Sequence, residues 1–174
     1  MVAMTEAPAG ETERAAAFED FFHAHHERLL RVLYLSTGDR HEAEDLAQEA
    51  FVRVYERWAR VAAAENPAGY LYRVALNQRR SRLRRLRVAA RKALRLAPVP
   101  PPDEHAATDE RLSVRRALVG LPDGQREAVV LVEWLGMTDA QAGEALGVSP
   151  GAVRTRLHRA RAALHETLRG DDDG

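Results

Sequence analysis

Residues Thr138 to Leu168 read Thr138-Asp-Ala-Gln-Ala-Gly-Glu-Ala-Leu-Gly147-Val-Ser149-Pro150-Gly-Ala-Val-Arg-Thr-Arg-Leu-His-Arg-Ala-Arg-Ala-Ala-Leu-His-Glu-Thr-Leu168. The pattern predicts a short helix, a tight turn and a second, arginine-rich helix. Thr138 caps the first helix and Gln141, three residues on, completes a capping box. Gly147 falls where the chain must leave that helix, a position that favours positive φ. Ser149 caps the second helix, and Pro150 sits in its first turn, where no backbone donor is missed. Ala142, Leu146 and Val148 supply the apolar contacts between the pair. Such a helix-turn-helix can lay its second helix in a DNA major groove.

That second helix divides into two faces. Val153, Leu157, Ala160 and Leu164 recur at helical spacing and form a stripe to bury. Gly151, Thr155, His158, Arg159 and Ala162 turn away from it, flanked by Arg154 and Arg161 on one side and Arg156 on the other. An arginine fork matches phosphate oxygens and the acceptor edge of guanine, and small residues at Gly151 and Ala152 let the helix end approach bases. A basic surface helix of an ordinary bundle is the plainer reading. The capped turn in front of the charge favours DNA.

The chain has 174 residues, 45% of them apolar and none of them cysteine. A packed core is therefore expected, whereas disulfides, zinc ribbons and thiol catalysis are excluded. Neither a membrane-spanning run nor a signal-peptide core is present, so a cytoplasmic location without membrane insertion is expected. Formal net charge is zero, which is unusual for a DNA binder, but the charge is segregated. Asn77 to Arg95 carries nine basic residues and no acidic one, while acids gather at Glu42 to Glu56, at Asp103 to Glu110 and in the Asp171 to Asp173 tail. Such polarity suits a molecule that shows a basic surface to nucleic acid and an acidic one to a protein.

Four prolines within Pro98 to Pro102 cannot continue a helix and favour an extended spacer. The predicted fold is all-α, with two small helical domains joined by this linker. The expected divisions are a disordered tail over 1–14, a first domain over 15–90, a linker over 91–108, a second domain over 109–170 and an acidic end at 171–174. Upstream, helices are expected from about Ala15 to Leu35, from Asp39 (with Glu42 completing a capping box) to about Trp58, as a turn within Ala59 to Glu65, and from Asn66 to past Arg85. Downstream, they are expected over Arg111 to Val119 and Asp123 to Leu135, ahead of the helix-turn-helix. Each half is small for a self-standing core.

Two upstream faces stand out. Ala43, Ala47, Phe51, Val54 and Trp58 make the core stripe of the second helix. Opposite lie Asp45, Glu49, Val52 and Glu56, with Gln48 beside them, an acidic face with an apolar residue embedded in it. A solvated stripe is the plainer reading and a protein-binding face the sharper one. On the long helix Leu71, Val74 and Ala75 point inward, while Tyr70, Arg73, Asn77, Arg80 and Arg84 line the far side. A ring, an amide and cations together suit single-stranded DNA, because rings stack on unpaired bases and cations follow phosphates.

Taken in order, Asp45-Leu-Ala-Gln-Glu-Ala-Phe51, Asn66-Pro-Ala-Gly-Tyr-Leu-Tyr-Arg-Val-Ala-Leu-Asn77, Leu121-Pro-Asp-Gly-Gln-Arg-Glu127 and the helix-turn-helix resemble an extracytoplasmic-function (ECF) sigma factor of bacterial RNA polymerase. The resemblance covers about residues 15–88 and 109–168. It implies that the helix bearing Asp45, Gln48, Glu49, Val52 and Glu56 grips the β′ clamp helices of core polymerase, with further contact to the β subunit. It implies that the Arg60 to Asn66 loop and the helix bearing Tyr70, Arg73, Asn77, Arg80 and Arg84 open and read the −10 element. It implies that Ser149, Gly151, Ala152, Arg154, Thr155, His158 and Arg159 read the −35 element in duplex DNA, and that an anti-sigma factor holds the protein inactive. The chain departs from the family at Tyr70, where tryptophan is frequent, and at Gln78 to Ser81, where aliphatic residues and an aspartate are usual. Ala142 and Gly143 stand where a bulkier apolar residue and alanine are common, a smaller pair that removes core volume from the second domain.

The alternatives are a one-component regulator that uses the helix-turn-helix alone, and an enzyme. His23, His25 and His26 are too close in sequence for all three to face one ion from a helix. Asp45 and Glu49 lack the accompanying histidine of a di-iron helix. No phosphate loop, nucleophile elbow or HExxH is present, so no catalytic residue, cofactor or metal is assigned.

Overall fold

A computed structural model describes residues 9–92 and 109–172, and all regular structure among them is helical. The helices are α1 (Ala9–Thr37), α2 (Arg40–Glu56), α3 (Trp58–Ala62), α4 (Pro67–Lys92), α5 (Asp109–Gly120), α6 (Asp123–Val129), α7 (Asp139–Leu146) and α8 (Pro150–Asp172). α1, α2 and α4 pack on one another with α3 closing one end, and α5, α6 and α7 surround the buried side of α8. The expected linker prolines lie outside the described residues. α1 begins at Ala9, inside the expected tail, and α4 runs to Lys92.

Local chemistry sets the boundaries. Gly38, at φ 75°, ends α1 and returns its N–H to the Tyr34 carbonyl at 2.8 Å. The Asp39 carboxylate accepts from the Glu42 N–H at 2.9 Å and caps α2. The reciprocal half of the expected box is taken by another group: the Asp39 N–H donates to Thr37 Oγ1 at 3.2 Å, leaving Glu42 to face Arg82 at 3.7 Å. At α4, Asn66 Oδ1 accepts from the Gly69 N–H at 2.8 Å. The stretch Asp123 to Leu135, expected as one helix, is α6 followed by a π-helical turn over Val130–Trp134.

The first half closes around aromatic rings. Phe18, Phe21 and Phe22 of α1 meet Trp58 and Phe51 at 4.7–5.4 Å between centroids, above a fully buried layer of Leu29, Val32, Leu33, Val54 and Leu71. His25 lies on this stripe, 4.5 Å from the Phe21 ring, with Nδ1 buried and unpartnered. Burial, and the charge of Arg28 beside it, hold its imidazole below the ordinary histidine value. An unfolded chain takes up this proton near pH 6.5 while the folded chain still resists it. Stability is therefore full above that pH and falls as pH drops through it. The urea midpoint should decrease between about pH 7 and 5, and His25→Leu should flatten that part of the profile; an unchanged profile would remove His25 as its source.

Both halves share one core. Leu131, Ala142, Ala145, Leu146, Val153 and Leu157 belong to the same buried cluster as the α1, α2 and α4 residues. α7 packs along α4, while α5 and α6 lean on α1. This mutual burial answers the small size of each half. The small residues of α7 also have a local reason. A Cβ on Gly143 would lie 2.8 Å from the Val148 carbonyl oxygen, whose own N–H bonds the Gly143 carbonyl at 2.9 Å. Gly143 thus permits the close turn, and its size is no loss of volume at that point.

Candidate nucleic-acid and partner interfaces

The helix-turn-helix forms through the chemistry its sequence specifies. Thr138 Oγ1 accepts from the Gln141 N–H at 3.2 Å, and Gln141 Oε1 accepts from the Thr138 N–H at 2.9 Å. Gly147 adopts φ 69°, and Ser149 Oγ accepts from the Ala152 N–H at 3.2 Å. Val153, Leu157 and Ala160 are buried, which turns Ser149, Gly151, Arg154, Thr155, His158 and Arg159 to the exposed face, with Ala152 half-buried at its edge. Thr155 donates to the Gly151 carbonyl at 3.0 Å, and Arg154 pairs with Asp139 of α7 at 3.3 Å. Arg161 pairs with Glu133. Among the described residues Arg159 has no hydrogen-bond or ion-pair partner, so its guanidinium is free for an incoming anion.

In the first half, α2 and α4 enclose a groove of about 900 Å³ that joins the two sequence-predicted sets. One wall carries Gln48, Glu49, Val52 and Glu56 of α2, and the other carries Tyr70 and Asn77 of α4. Asp45, at the end of the acidic face, lies outside it and 3.8 Å from Arg82. Val52 is 53% exposed, an apolar side chain that the fold leaves uncovered. The Tyr70 hydroxyl accepts from Arg57 Nη1 at 3.4 Å across the groove mouth. Arg73, Asn77 and Arg84 are exposed.

Two residues depart from the expected pattern. Arg80, placed on the DNA-facing side, is half-buried: its guanidinium donates to Glu127 at 2.7 and 3.1 Å, to Leu146 O at 3.1 Å and to Asn77 Oδ1 at 3.2 Å. The long helix turns this position toward the second half, which occupies it. Arg79, part of the basic run, is buried against Glu127, Asp123 and the Ser36 carbonyl. Gln78, marked in the sequence only as a departure from the family, is a buried wall residue whose amide nitrogen and oxygen both lack hydrogen-bond partners. The adjacent opposite charges Arg126-Glu127 at the start of an apolar segment are the signal that could have exposed this arrangement, since charges on a buried helix need partners.

The carboxyl of Asp123 feels burial, which raises its pKa, but hydrogen bonding and charge from Arg79, with help from Arg126 and Arg87, hold it below the ordinary value. Burial, reinforced by Arg79, lowers the pKa of Arg126. No cluster of three or more metal-ligating side chains occurs among the described residues, and no described helix is long and apolar enough to cross a membrane.

Comparison with known proteins matches residues 21–88 to Sigma-70 region 2 and residues 111–164 to Sigma-70, region 4. The RNA polymerase sigma-E factor of Streptomyces avermitilis is 36% identical over 157 residues, covering 89% of this chain and 87% of the relative. The ECF RNA polymerase sigma factor SigM of Mycobacterium tuberculosis is 33% identical over 87% of this chain and 77% of its own length. ECF sigma factor SigE of Mycolicibacterium smegmatis is 32% identical, and the chain spans 64% of its length. Among solved structures, CnrH bound to the cytosolic domain of CnrY superposes with a TM-score of 0.66 at 28% identity, covering 90% of each chain. Sigma factor RpoE in complex with the anti-sigma factor NepR, from Bartonella quintana, shares the fold at a TM-score of 0.76, 21% identity and coverage of 88% and 97%. With both regions matched in order and relatives above 30% identity along most of their length, the chain belongs to the ECF family of RNA polymerase sigma factors.

Proposed function

We propose that this sigma factor directs core RNA polymerase to promoters through three separate faces. The acidic face of α2, with Asp45, Gln48, Glu49, Val52 and Glu56, grips the β′ clamp helices. The face of α4 with Tyr70, Arg73, Asn77, Arg80 and Arg84 captures the melted −10 strand. The outer face of α8, from Ser149 to Arg159, reads the −35 duplex. The observation that carries this reading is the free outer face of α8, capped and backed as a recognition helix needs. The match to region 2 over residues 21–88 removes the reading as a lone helix-turn-helix regulator, which has no need of that region. The factor itself carries no chemistry; phosphodiester formation belongs to the polymerase, and the assembly works in the cytoplasm. Membership of the family also makes an anti-sigma factor its expected partner; RpoE, which shares the fold, is in complex with the anti-sigma factor NepR.

Strand capture is the most specific part of this assignment. Tyr70 offers a ring for stacking, and Asn77 offers an amide donor and acceptor from the same groove wall. Base stacking on an aromatic contributes roughly 1–3 kcal/mol, enough to bias opening by tenfold or more. Asn77→Ala holoenzyme should bind closed promoter nearly normally yet show weak permanganate reactivity at −10 thymines. A pre-melted −10 bubble should restore initiation only in part. Normal thymine reactivity of the variant would show that Asn77 does not hold the open strand.

A further inference from the structure

We infer that Gln78 is a base-reading residue, its amide placed in the wall of the α2–α4 groove to pair with the edge of an unpaired adenine in the melted strand. The inference rests on the proposal that Tyr70 and Asn77 capture that strand, and it adds the residue that selects a base.

Gln78 is 8% exposed, and its amide nitrogen and oxygen are both buried without a hydrogen-bond partner. An amide left so is disfavoured, because it has given up its bonds to water and gained none in return. An aliphatic side chain of similar length would fill the same space without that loss. The side chain lines two recesses that share Glu49, Gln78 and Arg85, with volumes of about 900 and 440 Å³. Both fall within the size range of small-ligand sites, roughly 300–1,000 Å³. The unpaired amide thus borders a space large enough to admit the group that would pair with it.

The surroundings suit a nucleotide. Tyr70, Asn77, Gln78 and Arg85 line one wall of the larger recess from a single side of α4. Tyr70 and Gln78 lie about 12 Å apart along the helix at 1.5 Å per residue, so Gln78 meets a base further along the strand than the one stacked on Tyr70. Arg53, Arg57 and Arg85 line the same recess. Arg57 is held at its mouth by the Tyr70 hydroxyl at 3.4 Å. Arg53 and Arg85 are exposed and have no hydrogen-bond or ion-pair partner among the described residues, which leaves cations for the phosphates. Asn77 Oδ1 already accepts from Arg80 at 3.2 Å, whereas both ends of the Gln78 amide are uncommitted. An amide sets one donor beside one acceptor, the complement of the amino group and ring nitrogen of adenine; guanine shows two acceptors on the same edge and suits arginine instead. Glu49 and Glu56 line the opposite wall, so polymerase on the acidic face of α2 is the other partner within reach, and the test separates the two.

Gln78→Met keeps the length of the side chain and removes both amide atoms. The probe is a promoter with a pre-melted −10 bubble, bound by core polymerase and factor, with each non-template base of the bubble changed singly. The wild-type factor should prefer adenine at one position by about tenfold or more. Purine at that position, which lacks the 6-amino group, should forfeit the preference. Gln78→Met should lose the preference there alone, with the other positions, closed-promoter binding and polymerase affinity unchanged. Its melting temperature should hold or rise, because an apolar chain replaces an unpaired buried amide; an amide that served the fold would lose stability instead. Gln78→Leu serves as a second variant if the methionine variant loses helicity. A folded variant that keeps the full adenine preference overturns the inference. So does one that binds core polymerase more weakly while its base preferences persist, which assigns Gln78 to the polymerase contact. If Asn77→Ala weakens bubble binding and Gln78→Met does not, strand capture stands and only the role of Gln78 falls. A wild-type factor that favours no base anywhere in the bubble overturns the functional reading, and the inference with it.

Discussion

Asp45→Arg with Glu49→Arg should reduce binding to core polymerase at least 100-fold while leaving the helical signal unchanged. Both residues are exposed on α2, and the side facing away from them holds the buried Ala43, Leu46, Ala47, Ala50 and Val54, so the substitutions leave the core untouched. Reversing two charges at an interface replaces attraction with like-charge juxtaposition, which costs several kcal/mol. A 100-fold loss corresponds to about 2.7 kcal/mol, well within that cost. Asp45 also faces Arg82 at 3.8 Å; this exposed pair contributes at most about 1 kcal/mol, too little to unfold α2. Affinity measured by fluorescence anisotropy against core polymerase checks the assignment. Wild-type affinity in a folded double variant would place the polymerase anchor elsewhere.

Arg159→Ala should weaken holoenzyme binding to the −35 element by about 1–3 kcal/mol if the side chain reads a base, and the loss should be confined to one base-pair position. Arg159 is exposed and unpartnered among the described residues, whereas Arg154 is tied to Asp139 at 3.3 Å. Arg154 must leave that ion pair to reach DNA, so part of its gain is offset. The larger effect is therefore expected from Arg159→Ala. A base contact relaxes preference at its own position, while a phosphate contact weakens all sequences alike and lowers the salt slope by about one. Binding of both variants to single-base substitutions of the −35 element, at two salt concentrations, separates these roles. No change for either variant would mean that α8 presents another face to the groove.

The readable parts of this molecule are those whose causes are local. Thr138 with Gln141, Gly147 and Ser149 specify the helix-turn-helix within a dozen residues, and each forms the bond its position demands. The apolar stripes of α2 and α8 follow from helical period alone, and their residues are buried as spaced except Leu164, which is half-buried. What was not legible depends on partners far along the chain. Arg79 and Arg80 read as members of a basic run, yet their acids lie more than forty residues away in α6. Nothing in the run itself separates the buried Arg79 from the exposed Arg84. The Glu42 capping role failed for a nearer reason: Thr37 Oγ1 reaches the Asp39 N–H first. The π-helical turn at Val130–Trp134 has no period that a sequence pattern announces.

The central claim is that this chain gives core polymerase its promoter choice through faces on both halves. Run-off transcription from a promoter library, with core polymerase and added factor, tests it most directly. Mapped starts should fall at discrete sites that share two elements at fixed spacing. They should disappear with Asp45→Arg and Glu49→Arg, weaken at the upstream element with Arg159→Ala, and fail at opening with Asn77→Ala. Transcripts identical in position and amount with and without the factor would contradict the account.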